Sequence, residues 1–267
     1  MRCFVKIMLH TFTGIDGCPA GWLAAELTVK LVAGQGGGMY PDGSMHSAGT
    51  ALFSVSVFSL TDAAELSRLC GRADLVLIDI PVGLPDSREE RKVDLQVRRH
   101  LGRRGSSVFP VPVRDAVYAS SYEEGCRINF AVRGKKFSKQ LWNITPGIRC
   151  IDTFLREHAE FRQVLRESSP EYAFQLLQGA PLETAKRTKE GIRERLALCE
   201  AVVPGCSAVF KDAAAGYQRR TAAEHDILDA MGLAVSAYVT KAGTMVKVPE
   251  QEERDPAGIP MQAVFGM

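Results

Sequence analysis

Apolar and polar positions change their spacing several times along this chain, and each change predicts an element. Phe4 to Ile15 is a largely apolar run with β-branched and aromatic side chains, which predicts a first strand ending at Asp16-Gly17. Cys18, Pro19, Ala20 and Gly21 supply turn chemistry. Trp22 to Val32 alternates well enough for a second strand, so the two form a hairpin. Gly34 to Gly49 is rich in Gly, Ser and Pro and predicts an exposed loop, with a third strand near Leu52 to Leu60. Thr61-Asp62 offers an N-cap to a helix that runs to Cys70 through Ala63, Ala64, Leu66 and Leu69. Asp74 to Ile80 is almost wholly apolar, as a strand buried on both faces is, and Pro81 ends it. A strand-helix-strand passage requires a parallel pairing, so the pattern predicts an α/β fold on a mixed sheet. A three-strand antiparallel meander is joined there by parallel strands and flanked by helices.

Past Pro85 the pattern turns helical. A charged helix is expected around Glu89 to Leu101, then an irregular segment, Gly102 to Arg114, then a helix over Ile148 to His158. The span 85–158 is taken as a helical insertion after the fourth strand, within a single domain over 1–267. A short strand is expected in Phe161 to Glu167, helices over Thr188 to Val202 and Glu224 to Thr240, and a loose tail from Glu250. There is no internal repeat.

Composition narrows the function classes. A net charge of +2 over 267 residues carries no global affinity for polyanions, so any nucleic-acid surface must come from local clusters. The seven cysteines lack CxxC spacing, which argues for a reducing compartment and against a zinc site. Met1 to Phe12 is too short and too broken by charge for a signal peptide, and no apolar stretch reaches the length of a membrane span. These features place the chain in the cytoplasm with no membrane partner. The oligomeric state is left open, a homodimer included.

The acids carry the chemistry. Asp16 stands where the first hairpin turns, and Asp79 stands inside the apolar run Leu75 to Pro81. A carboxylate in such a run is costly unless it is paired or bound to a cation. Asp226 and Asp229 open the last long helix, three residues apart on one face. A mixed sheet with a helix packed on it can gather these four at one end. Converging carboxylates raise one another's pKa unless cations neutralise them. Oxygen ligands of this kind suit Mg²⁺ or Mn²⁺, and two such ions about 4 Å apart can activate water and stabilise the leaving oxygen of a phosphodiester. The plain alternatives are turn chemistry for Asp16-Gly17, a carboxylate bonded to backbone amides for Asp79, and a helix N-cap for Asp226.

Gly14-Ile15-Asp16-Gly17-Cys18-Pro19-Ala20-Gly21-Trp22 resembles the opening motif of a bacterial family of unknown function, domain-of-unknown-function family 429, whose members are taken for nucleases of the RNase H-like fold. The resemblance continues at Ile78 to Pro85, at Leu101 to Pro110 with Arg114 close behind, at Pro170-Glu171 with Phe174, at Lys186 to Leu196, and at Asp226-Ile227-Leu228-Asp229-Ala230. The closing pattern is also similar to the end of the Holliday-junction resolvase active site, which shares that fold. The resemblance implies an RNase H-like mixed sheet and a metal-dependent nuclease. Asp16, Asp79, Asp226 and Asp229 are then the metal ligands, with Glu167 as a further ligand and Glu171 as a further catalytic acid. Ser169 stands where the family shows a histidine, and His225 where an aspartate often precedes Asp226.

Three basic clusters could track phosphates beside these acids: Arg98, Arg99, Arg103 and Arg104; Arg133, Lys135, Lys136 and Lys139; and Lys186, Arg187 and Lys189. Ser106 and Ser107 beside Arg103 and Arg104 could hold a phosphate. Arg103, Arg104, Ser106, Ser107, Arg114, Lys186 and Lys189 are thus the candidate substrate contacts, and RNA or DNA the expected partner. Trp22 and Trp142 are candidates for base stacking or for core. Two other functions compete: a fold-retaining binding or scaffold protein without catalysis, suggested by Ser169 and His225, and an ATP-dependent phosphotransferase of the actin-like superfamily. The second is disfavoured by the single Asp-Gly hairpin and the chain's length.

Overall fold

The computed structural model describes residues 7–32, 51–59 and 61–267. The loop expected over Gly34 to Gly49 lies outside them, as do the first residues of the expected first strand. In chain order the elements are β1 (Ile7–Cys18), β2 (Gly21–Val32), β3 (Ala51–Phe58), α1 (Ala63–Arg72), β4 (Leu75–Ile78), α2 (Lys92–Leu101), a 3-10 turn (Gly102–Ser107), α3 (Arg114–Val117), α4 (Tyr122–Arg133), α5 (Lys139–Glu157), a second 3-10 turn (Ala159–Phe161), β5 (Leu165–Glu167), α6 (Pro170–Gln178), α7 (Lys189–Val202), α8 (Cys206–Gly216), α9 (Glu224–Ala242), β6 (Met245–Val248) and β7 (Ala263–Gly266). Among the described residues the strands form one mixed sheet of seven in the order β3-β2-β1-β4-β5-β7-β6, flanked by helices. The chain divides into two compact units, 1–79 with 168–246 and 265–267, and 80–167 with 247–264.

In the first unit β1, β2 and β3 form the expected antiparallel meander, and β4 lies parallel to β1. The hairpin turns later than the sequence pattern predicts. Asp16 pairs with Leu23 inside the ladder, and the turn is Pro19-Ala20, with Gly21 at φ +139°. Helix α9 packs on β1, β2 and β4. It is apolar nearly all round, with Ile227, Leu228, Met231, Leu233, Ala234 and Val235 buried, as befits a helix enclosed by its neighbours. Gly14 lets it approach: a Cβ there would stand 2.0 Å from the Ala230 carbonyl oxygen and 2.5 Å from the Ala234 nitrogen. Helix α6 packs against the same helix, and Phe174 fills the space that a side chain at Gly232 would need.

The second unit holds the expected helical span, with more helix than the pattern predicts. Helix α5 begins at Lys139, capped by the Ser138 hydroxyl, and runs through Pro146, where the sequence pattern starts a helix only after that proline. The Trp142 carbonyl, which loses its N–H donor to Pro146, accepts from the Thr145 hydroxyl at 2.8 Å instead. Buried Arg133 donates to the carbonyls of Ser87, Glu89 and Val111, so it belongs to the interior and not to a basic surface run. The segment from Glu250 is no loose tail. Asp255 Oδ1 accepts from the N–H groups of Ala257 and Ile259, both at 2.9 Å, which turns the chain back towards β7. That strand is buried at every position.

Candidate active site

Four acids of the first unit are drawn together by the elements that carry them. Asp16 is 7% exposed on β1. The parallel pairing of β1 with β4 extends one step further, the Asp79 N–H donating to the Ile15 carbonyl at 2.9 Å, so Asp79 leaves the sheet beside Asp16. The close approach of α9 at Gly14 brings its first turns, with Asp226 and Asp229, over the same strand. Burial lifts the Asp16 carboxyl well above the ordinary aspartate range. The charges of Asp79, Asp229 and, more weakly, Asp226 push the same way, and Lys186 opposes them.

Lys186 brings a positive charge into the cluster. Its Nζ lies 2.6 Å from Asp229 Oδ2. Burial alone would lower this ammonium's pKa, but Asp229, Asp16 and Asp79 together raise it. Asp229 is 1% exposed. Its carboxyl is raised by burial and by Glu171, while Lys186 and Arg195 pull it down. Glu171, in the first turn of α6, accepts from Arg195 Nη2 through both oxygens at 3.1 and 3.0 Å. Asp226 works partly on its own helix, Oδ2 accepting from the Ala223 N–H at 2.9 Å, while Oδ1 stands 3.3 Å from His225 Nε2. Asp226 thus caps α9 from its third position, with Ala223 as N-cap. Burial lowers the His225 pKa.

The donors suit a hard divalent cation in kind, being carboxylate oxygens held at high local negative charge. Among the described residues no three His, Cys, Asp or Glu side chains form a ready-made metal cage. Lys186 supplies one counter-charge from the chain itself.

The other candidate residues are placed as follows. Ser169 is the N-cap residue of α6 and makes no side-chain cap bond. Glu167 belongs to the second unit, where its carboxylate accepts from buried Arg91 at 2.8 and 3.0 Å and from the Val82 N–H at 2.8 Å. Arg114, also there, is bound to Asp152 at 2.8 Å and to Asp255 at 2.5 Å, inside a network whose carboxylates are buried. Arg103, Ser106 and Ser107 are exposed on the 3-10 turn, and the Ser107 hydroxyl donates to the Arg104 carbonyl at 2.8 Å. Lys189 is exposed at the start of α7. Trp22 is core, and Trp142 packs among Tyr122, Phe137 and Arg149.

Arg195 was not among the sequence candidates. It is 1% exposed and sits in one stripe of α7 with Gly191 and Cys199, a four-residue spacing that marks a buried helix face. An arginine in such a stripe requires a carboxylate partner, and that rule is the signal that would have marked Arg195. Residues 14–254 match the model of a family described as protein of unknown function (DUF429). No curated protein and no solved structure matches the chain.

Proposed function

The chain belongs to the family of unknown function DUF429, and from that footing we propose that it is a divalent-cation-dependent nuclease of the RNase H-like fold. The observation that carries the reading is the buried Asp16 carboxyl, held against Asp79, Asp229 and Asp226 with one lysine as counter-charge. Folding gains nothing from crowding buried acids unless the crowd has a use. The meander of β1, β2 and β3, the parallel β4 beside β1, and acids on β1, after β4 and on α9 agree with what the RNase H-like reading requires.

Asp16, Asp79 and Asp229 are the residues that would hold Mg²⁺ or Mn²⁺, with Asp226 completing the shell. When bound, the cation supplies an activated water and stabilises the departing oxygen of the phosphodiester. The chain's own groups do the rest. Glu171, fixed by Arg195, sets the electrostatic background of Asp229. Lys186 compensates charge at Asp229 and can meet the negative charge that develops on the phosphoryl oxygens. A catalytically silent binding protein is the second reading, and the Lys186–Asp229 pair favours it, because that pair gives Asp229 a counter-ion without any metal.

The test is hydrolysis of end-labelled structured RNA and DNA by the wild type and Asp16→Asn, with Mg²⁺, Mn²⁺ or EDTA. Cleavage that needs the cation and falls at least about 100-fold in the variant is expected. Cleavage unaffected by EDTA, or equal in the variant, would contradict the reading.

A further inference from the structure

The basic run Lys186, Arg187 and Lys189 divides in the structure. Lys186 turns to Asp229, whereas Arg187 and Lys189 line a cavity of about 280 Å³ that Arg219, Tyr217, Glu224 and His225 also border. The rest of the lining is one isoleucine and three alanines. Among the described residues, Arg187, Lys189 and Arg219 make no hydrogen bond and no ion pair with a carboxylate. Three cations therefore face one acid, Glu224, across a small cavity with an apolar remainder.

Position adds to charge. The cavity lies on the first turn of α9, a helix of 19 residues whose N-terminal end is the positive pole of its dipole. The same turn carries His225, which touches Asp226 at 3.3 Å, so the cavity borders the acidic cluster. Guanidinium forks donate bidentately to phosphate oxygens, and an ammonium beside them adds a further charge-assisted contact. The volume falls just below the range of small-ligand sites, about 300–1,000 Å³, which suits a phosphate with its attached sugar and not a duplex.

We infer that this cavity is a phosphate-binding subsite, gripping a phosphate next to the one presented to Asp16, Asp79 and Asp229. The inference rests on the hydrolase reading for its role. Its binding claim stands apart, since the residues that hold the phosphate are not those that would hold the cation. One phosphate chemistry can come from two sources, a nucleic-acid strand or a free nucleotide.

Binding is measured in EDTA, so that no hydrolysis intervenes. The probes are a fluorescein-labelled single-stranded oligonucleotide, read by anisotropy, and adenosine 5′-monophosphate, read by calorimetry. Wild type is compared with Arg187→Ala/Arg219→Ala, with Lys189→Ala, and with Asp16→Asn. All three basic side chains are exposed, so truncating them spares the core. The expected result is a loss of at least tenfold in oligonucleotide affinity in the double variant, with the salt dependence shallower by about 1.4 in log-log slope. Lys189→Ala loses less, and Asp16→Asn retains binding. Loss of nucleotide binding with the strand unaffected also upholds the subsite and makes the free nucleotide its source. Unchanged affinity for both probes in the double variant, or no binding of either by wild type, overturns the inference. If the double variant loses binding while wild type cleaves nothing, the subsite stands and the nuclease reading falls. If cleavage depends on Asp16 while binding survives the double substitution, the reverse holds.

Discussion

Asp16 shows what a crowded carboxyl group does to a fold. In the unfolded chain it titrates near pH 4. In the folded chain burial and the charges of Asp79 and Asp229 raise that value. Below about pH 4 both states are protonated, and the folded state has its full stability with respect to this group. As pH rises through the folded value, the native protein must ionise inside the cluster, and stability is lost. Asp16→Asn removes that ionisation. The variant is therefore expected to be more stable than wild type at pH 7 in urea unfolding, with the advantage shrinking towards pH 4. Each kcal/mol gained corresponds to about 2–4 °C in Tm for a chain of this size. A variant less stable than wild type at pH 7, or an advantage independent of pH, would contradict the account. At this scale the sequence showed the acids, because aspartate in an apolar strand or on a buried helix face stands out. It did not show their partners. Lys186 looks like one member of a surface run until the fold turns it towards Asp229, and Glu167 looks like a ligand until Arg91 takes its oxygens.

The pairing of β1 with α9 places the cluster, and Gly14 makes that pairing possible. A methyl group at Gly14 would meet the backbone of α9 at Ala230 and Ala234, which no side-chain rearrangement relieves. Gly14→Ala is expected to lose at least about 3 kcal/mol or to fail to fold. Gly17→Ala, three residues on, exposed and with nothing within 4 Å of the added carbon, should change stability by about 0.5 kcal/mol or less. Equal unfolding midpoints for the two variants would contradict the contact. The elements around the acids were legible for different reasons: the meander from its alternation, and β4 from a short apolar run closed by Pro81. Others were hidden for local reasons. Ser121 and Glu124 form an N-terminal capping pattern for α4, but the basic residues at the helix's end disguise it as a surface run. The first turns of α5 carry Pro146, which breaks the helical pattern there, while the Thr145 hydroxyl donates to the Trp142 carbonyl that the proline leaves without an N–H. The turn at Asp255 and the four residues of β7 are too short to show a period at all.

Over the whole molecule the near-neutral net charge conceals a sharp local arrangement, a buried acidic cluster beside a cationic cavity on the first turn of one helix. The sheet order and its mixture of parallel and antiparallel pairs were legible in part, from the order of strands and helices along the chain. The division into two compact units was not, since it depends on contacts among segments far apart in sequence. Among the described residues no helix is long and apolar enough to cross a membrane. The central claim is that Asp16 and Asp79 belong to a cation site, and thermal unfolding tests it most directly. Wild type and Asp16→Asn/Asp79→Asn are melted in EDTA, in Mg²⁺ and in Mn²⁺. A cation at 100 times its Kd should stabilise wild type by about 2.7 kcal/mol and leave the double variant where EDTA leaves it. A wild type that neither cation shifts, or an equal shift in both proteins, would contradict the account.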